Sequence, residues 1–371
     1  MSSSVNPRSV LHIGKFYPPH NGGIETHVYE LARRQKEEME VGVVVAHGQR
    51  WTRRECVDGV RVTRCGTLGS IASMPICIGM AGAIRNAPAD VVHLHVPNPG
   101  AALAFLLSGH KGKLVVTHHA DTLGRRFLRR LSDPFVRAAM DRASAIIVTS
   151  ARYMATSPEL ERYREKCRVI PLAIDPSFYA AISPESDTIR RRFDGRLILA
   201  VGRMVPYKGF RYAIEAMQQV EGHLCIIGSG PEEASLQQLA SELKVTDKVT
   251  FMGRAGDLRP YYQAASAFVL PSISRAEAFG MVQLEAMASG TPIINTNIDS
   301  GVPEVAEAGV SAITVPPGNA EALAGAMRAL LGDPELRSRL GRRAQDVVRE
   351  KYALDPMVRS TFALYREVLG A

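Results

Sequence analysis

Cysteine is scarce in this chain of 371 residues, with only Cys56, Cys65, Cys77, Cys167 and Cys225. They are odd in number, scattered and never spaced C-x-x-C, which excludes a disulfide framework and a cysteine-built zinc site. Long apolar runs are also lacking. The stretch Ile71 to Ile84 is about 14 residues with Pro75 and two glycines, short of the roughly 20 that span a bilayer, so no transmembrane helix is expected. The opening MSSSVNPRSVLHIG has no basic segment followed by an apolar core, so no secretory signal is read and a cytoplasmic protein is expected. Internal repeats and low-complexity tracts are absent. What is present is an ordinary globular balance, 46% hydrophobic and 22% charged, which excludes disordered and fibrous classes. A chain of this length exceeds one ordinary core, and two domains are expected.

Charge and histidine divide the chain. The formal net charge is +8, and the whole of that excess lies in the first 185 residues, with nine of the ten histidines. A basic first half implies an anionic partner: nucleic acid, a phospholipid surface or a phosphorylated substrate.

Unbroken β-branched runs alternate with helical patterns at Val10–Ile13, Val41–Ala46, Val91–Val96, Leu114–Thr117, Ala145–Thr149 and Val169–Leu172. The alternation repeats at Leu197–Val201, His223–Ile227, Val249–Met252, Ala267–Leu270, Pro292–Asn295 and Ala312–Val315. Such runs fit parallel strands buried on both faces, giving two α/β units. The polar stretch Ser183 to Asp194 reads as the connection, so the domains are expected at 1–185 and 186–353, with a last helix, 354–371, returning to the first. Asp333-Pro334 and Asp355-Pro356 each read as a cap residue before proline at the first helical position. Two doubly wound sheets place ligands at the carboxyl ends of their strands, in a cleft between them.

The candidate site residues follow strands. Gly22 and Gly23 open a helix, where bare N–H groups accept an anion; a tight turn without ligand fits the pair alone equally well. His118, His119 and Asp121 follow the strand Leu114–Thr117, where a histidine can bond a sugar hydroxyl or phosphate, or serve a capped loop; the spacing suggests no metal. Gly202-Arg203 and Lys208-Gly209 put two cations five residues apart in one loop, an arrangement suited to a diphosphate. Gly228-Ser-Gly230 is not G-x-G-x-x-G, and no acidic residue for a ribose follows, so a nicotinamide site is not supported; the segment reads as close packing plus a base contact. The strongest local signal runs from Leu270 through Glu277, Phe279, Gly280, Met281, Val282 and Glu285. Eight helical steps would separate the two glutamates by about 12 Å, too far to act at one atom, so they read as two clamps on one extended ligand.

With these motifs the chain resembles the retaining glycosyltransferases of family 4, of GT-B fold, over essentially its whole length. The E-x7-E motif is Glu277 to Glu285; around it stand Arg203-x4-Lys208, Gly22-Gly23, Thr117-x-His119 and Gly301-Val-Pro-Glu304. The resemblance implies that Arg203 and Lys208 bind the donor diphosphate and stabilise the leaving nucleoside diphosphate, with Gly23 on the same phosphates. It gives Glu285 the ribose hydroxyls, Glu277 the sugar hydroxyls, Phe279 to Val282 backbone contacts, and Arg254 a place near the base. His119 rather than His118 would meet the sugar near the reacting centre. Retention would follow from same-face attack guided by the leaving phosphate. No D-x-D is present, and neither metal nor cofactor is implied. A looser similarity, in His93-Leu-His95-Val-Pro-Asn-Pro99 and Thr117-His-His-Ala-Asp121, is to bacterial mannosyl- and rhamnosyltransferases of polysaccharide and glycolipid synthesis, which makes GDP-mannose the expected donor and a glycan or lipid-linked molecule the acceptor.

Leu123-Gly-Arg-Arg-Phe-Leu-Arg-Arg-Leu131 has apolar residues on one helical face and four arginines on the other. A helix of this kind lies in an anionic membrane surface, so peripheral docking at the inner face of the cell membrane is expected. With one aromatic and no binding module, the cluster does not read as a nucleic-acid site. The competing readings are a GT-B epimerase or phosphorylase, and a nucleotide-sugar binding protein without turnover.

Overall fold

Apolar runs with no polar break form strands covered on both faces. The computed structural model describes residues 7–20, 22–71, 74–121 and 126–370, the side chains of 71, 74 and 126–132 excepted. It divides into two compact units, Met1–Leu172 with Leu354–Ala371, and Ala173–Ala353.

The first unit runs β1 Ser9–Ile13, α1 Gly23–Gln35, β2 Glu40–Ala46, β3 Arg53–Val57, β4 Val60–Cys65, the two-residue strands β5 Ser70–Ile71 and β6 Met74–Pro75, α2 Met80–Arg85, β7 Val91–Val96, α3 Pro99–Ser108, β8 Lys113–His118, α4 Arg126–Arg142, β9 Ala145–Val148, α5 Ala151–Thr156 and β10 Cys167–Val169. Its main sheet has the order β10-β9-β8-β7-β1-β2-β4-β3. All neighbours are parallel except β3, which pairs antiparallel with β4. The sequence pattern did not expect this hairpin. β3 opens on three charged residues and β4 alternates only from Val60 to Thr63, so neither is an unbroken apolar run, and Asp58-Gly59, with φ of 48° and 82°, supplies the left-handed pair that a two-residue turn requires. The strands at the middle of the sheet are covered: every residue of β7 is buried, whereas β3 at the edge is mostly exposed.

The second unit holds α6 Pro176–Ala180, α7 Glu185–Arg192, β11 Leu197–Val201, α8 Phe210–Ala216, β12 His223–Ile227, α9 Glu233–Glu242, β13 Val249–Phe251, α10 Arg259–Ala264, β14 Ala267–Leu270, α11 Met281–Ala288, β15 Ile293–Thr296, α12 Val302–Val305, β16 Ala312–Val315, α13 Ala320–Gly332 and α14 Pro334–Lys351. Its all-parallel sheet has the order β13-β12-β11-β14-β15-β16, the doubly wound order that reverses between its first and fourth strands. Ile198, Ala200, Ile226, Val269 and Ile294 form the middle of its core, closed by Phe210, Met217 and Met327. Residues 173–185 belong to this unit and not to the first, because α6 packs on α11 and α14. The compact units therefore divide thirteen residues before the expected 185.

The Asp333 carboxylate accepts from the Leu336 N–H at 2.9 Å and caps α14, with Pro334 first in the helix; such a cap contributes about 1 kcal/mol. Asp355 is not a cap. The helix α15, Leu354–Leu369, has already begun there, and the carboxylate instead pairs with Arg34 of α1 at 2.9 Å. α15 packs on α1 and β8, and Arg168 reaches its Glu367 at 2.7 Å. Of the basic stretch Leu123–Leu131, residues 122–125 and the side chains through 132 lie outside the described residues. Among the described residues no helix is long and apolar enough to cross a membrane.

Candidate functional site

In the second unit the strand order reverses between β11 and β14, and the loops leaving these two neighbours carry the cation pair and the first glutamate. Gly209, at φ 67°, turns the β11 loop into α8; a Cβ on it would stand 2.1 Å from the Pro271 carbonyl oxygen, so glycine lets the two loops close on each other. Lys208 and Glu277 thereby meet. Each is 8% exposed, and the Lys208 Nζ lies 2.5 Å from the Glu277 Oε2. The Ser272 hydroxyl donates to the same oxygen at 3.1 Å. Burial alone would lower the Lys208 pKa, but the charges of Glu277, Tyr207 and Glu285 and the bond to Glu277 outweigh it, and the ammonium is held above its ordinary value.

Gly280, at φ 76°, precedes α11, so the helix starts at Met281 and Glu277 lies outside it. Eight helical steps therefore do not separate the glutamates, and the distance expected from them does not apply. Both carboxylates act on one ammonium, Glu277 by direct pairing and Glu285 through its charge. Glu285 accepts from the Tyr262 hydroxyl at 2.8 Å. Its carboxyl is pushed up to about 7 by burial, against the opposing effect of hydrogen bonds from Tyr262 and Tyr179 and the charge of Lys208. Neither Tyr262 nor Ser272 was singled out in the sequence; each lies far along the chain from its partner loop or in a segment read for its charges.

Arg203 is exposed at the start of the β11 loop. Gly228 and Gly230 bring the β12 loop onto the β11 loop, where Cβ atoms would fall 2.0 Å from the Gly202 oxygen and 2.3 Å from the Met204 oxygen. Arg254, after β13, donates to the Ser229 hydroxyl at 3.2 Å, so these three strand ends form one rim. Phe279 is buried with its ring 6.0 Å from that of Tyr352, while Met281 and Val282 are half-buried at the start of α11.

In the first unit Gly22 and Gly23 are exposed at the start of α1, which no Gly22 side chain caps. The two histidines after β8 part company. His118 meets the Tyr153 hydroxyl at 3.1 Å and Glu159 at 3.3 Å, and Tyr153 also donates to Asp121 at 3.0 Å. His119, 4% exposed, joins a cluster the sequence reading did not assemble: His12, His27, His93 and His95, all buried. His119 Nε2 lies 3.1 Å from His95 Nδ1, His95 Nε2 3.1 Å from His12 Nδ1, and His12 Nε2 2.7 Å from Gln35 Oε1. His93 bonds the Tyr365 hydroxyl and the Thr117 hydroxyl, each at 2.6 Å. Burial lowers the His12 pKa to about 4 and that of His27 to about 3, and holds His93, His95 and His119 well below the usual value, so the rings are neutral. Strand register brings the rings together: parallel pairing of β1 and β7 sets His12 beside His93, and pairing of β7 and β8 sets His95 beside Thr117.

Comparison with known proteins adds independent findings. Residues 185–347 match the family model for glycosyl transferases group 1, and residues 22–173 that for a glycosyl transferase 4-like domain. The D-rhamnosyltransferase WbpZ of Pseudomonas aeruginosa is 34% identical over 72% of this chain and 70% of its own. The O-antigen chain mannosyltransferase C of Escherichia coli is 27% identical over 97% and 98%. Among solved structures, sucrose-phosphate synthase from Thermosynechococcus elongatus has a TM-score of 0.81 at 21% identity, over 98% of this chain and 99% of that one. Anabaena HepE in complex with UDP-glucose has a TM-score of 0.77 at 19% identity, over 98% and 99%. At these identities the structural likeness establishes the fold, GT-B.

Proposed function

The chain belongs to the group 1 glycosyltransferases with a 4-like first domain, and from that premise we propose that it moves a hexose from a nucleoside diphosphate sugar to a glycan or lipid-linked acceptor in polysaccharide or glycolipid synthesis, with retention at the anomeric carbon. The observation that carries this reading is the buried Lys208–Glu277 pair beside Glu285, at the point where the second sheet reverses its strand order. An ammonium offers three N–H donors, and Glu277 and its neighbours leave some of them for phosphate oxygens. Arg203, exposed on the same loop, adds a two-pronged grip on the diphosphate. Together they stabilise charge on the departing nucleoside diphosphate. The N–H groups of Gly280, Met281 and Val282 and those opening α1 at Gly22 and Gly23 take further phosphate oxygens.

Glu285 accepts ribose hydroxyls, Glu277 the sugar hydroxyls, Phe279 supplies backbone contact and Arg254 stands near the base. His119 meets the sugar close to the reacting carbon. The charge of the diphosphate is assigned to these cations and N–H groups and not to a metal or cofactor. GDP-mannose is the proposed donor, a choice supported by relatives named for mannose and rhamnose transfer, against a structural neighbour that holds UDP-glucose. The acceptor is proposed to wait on an anionic membrane surface, through Leu123–Leu131.

A thermal-shift screen against GDP, UDP, ADP and dTDP, with and without their sugars, tests the donor, because a ligand of the native state raises the melting temperature. The expected result is a rise with GDP and GDP-mannose that Arg203→Ala removes. A rise with UDP alone would move the donor assignment to a uridine sugar; no rise with any nucleotide would overturn the transferase site as drawn.

A further inference from the structure

The buried polar groups around His119 form one hydrogen-bonded chain, and its direction follows from the end of the Gln35 amide that faces His12, here the oxygen. Gln35 Oε1 carries no proton, so at 2.7 Å the proton between it and His12 belongs to His12 Nε2. A neutral imidazole has one N–H, so His12 Nδ1 is bare and accepts from His95 Nε2 at 3.1 Å. By the same count His95 Nδ1 is bare and accepts from His119 Nε2 at 3.1 Å. His119 Nδ1 is then left with a lone pair and no proton. That atom is buried and meets no hydrogen-bond partner among the described residues.

The other half of the Gln35 amide continues the chain in the same sense. Its Nε2 donates to the Tyr365 hydroxyl at 3.4 Å, that hydroxyl donates to His93 Nδ1 at 2.6 Å, and His93 Nε2 donates to the Thr117 hydroxyl at 2.6 Å. Six bonds thus run head to tail from His119 to Thr117, two residues away on the same strand end, and Gln35 is the only member whose two ends differ in kind, one pure acceptor and one pure donor. Turning that amide over would reverse all six bonds and put a proton on His119 Nδ1. Bonds aligned in this way polarise and strengthen one another in a water-excluded setting.

We propose that Gln35 is a positioning residue which, through His12 and His95, fixes the proton of His119 on Nε2 and presents its Nδ1 lone pair as an acceptor for a hydroxyl of the donor sugar. The ring positions are set by β1, β7 and β8 and the amide by the last residue of α1. The part played by the sugar rests on the role given to His119 above; the direction of the chain does not. The histidines also form two groups of three, His12 with His93 and His95, and His27 with His95 and His119, whose nitrogens lie close enough to share a cation. The hydrogen-bonded arrangement is favoured because His12, His95 and His119 already satisfy one another at 3.1 Å with one proton each and His93 is satisfied by Tyr365 and Thr117, His27 alone having both nitrogens buried without a partner among the described residues, and because the named members of the cluster include no carboxylate to balance a divalent charge.

The test is nitrogen NMR of the full chain labelled with 15N-histidine, with signals assigned by single His→Gln variants. Proton-bearing Nε2 and bare Nδ1 on His12, His95 and His119 are expected, with no change on adding one equivalent of Zn2+. A proton on His119 Nδ1, or a mixture of both forms, overturns the proposal; so does uptake of one Zn2+ with loss of the His95 and His119 N–H signals. In Gln35→Leu the His119 ring is expected to populate both forms and kcat to fall about tenfold, the equivalent of one hydrogen bond of about 1.4 kcal/mol, with the donor KM held. Gln35→Glu, whose carboxylate still accepts from His12, is expected to keep more of kcat than Gln35→Leu. A single His119 form in Gln35→Leu overturns the role of Gln35. A mixed form with undiminished kcat leaves the chain standing and instead overturns the role of His119 at the sugar.

Discussion

In the first unit five histidine rings lie buried without charge, whereas in the second a lysine and a glutamate lie buried as an ion pair. Three of the rings, His12, His95 and His119, answer one another through single shared protons; the ion pair answers through full charge, with a second carboxylate close enough to pull on the same ammonium. The consequence is that the units lean in opposite directions with pH. The histidines have folded-state pKa values depressed below the ordinary 6.5, so the stability they carry is present above pH 6.5 and is lost as the pH falls toward about 4 for His12 and about 3 for His27. Glu285 is the reverse. Its folded pKa is raised from 4.5 to about 7, so its contribution is present below pH 4.5 and lost as the pH rises through 7.

The largest expected effect comes from acid. Lowering the pH from 6.5 to 4 should destabilise the first unit by about 3 kcal/mol through His12 alone, at about 1.4 kcal/mol per pH unit. Hydrogen exchange read by mass spectrometry, corrected for the intrinsic rate, should show β1, β7 and β8 losing protection while β11 and β14 keep theirs. Simultaneous loss in both sheets would end the contrast.

A second effect, about 3 kcal/mol, is expected from Lys208→Met, which strands the Glu277 carboxylate in a buried site. Chemical denaturation should show the second unit weakened, and adding Glu277→Gln should recover much of the loss. An equal or greater loss in the double variant would mean that the pair is not coupled.

The smallest belongs to Glu285→Gln. The parent should lose about 2 kcal/mol between pH 5 and pH 8 through this carboxyl, discounted for its partial exposure, and the variant should lose less. Melting temperatures taken across that range at constant salt decide it; parallel curves would place the titration elsewhere.

The alternation of strand and helix was legible because each buried strand is written as one apolar run, and it located the loops after β11 and β14 where Arg203, Lys208 and Glu277 stand. The β3–β4 hairpin carries a turn signal in Asp58-Gly59, but its edge strands hold no unbroken apolar run, the mark by which the buried strands stand out. The histidine chain was not legible. His12 meets His95 across 83 residues and His93 meets Tyr365 across 272, and no local pattern encodes which rings will face one another until strand order and register are known. The glutamate spacing departs for a local reason: the residue count holds, but the left-handed Gly280 starts the helix four residues later than eight helical steps would need.

α15 carries a final consequence. Tyr365 closes the polar chain of the first unit, yet 181 residues of the second, Ala173 to Ala353, are made before it. During synthesis, which releases the chain from its amino end, the first unit waits with His93 Nδ1 unanswered while the second emerges and folds. The unit begun first is thus the one finished last, and a chain that has emerged only as far as Ala353 holds a completed second unit and an unfinished first.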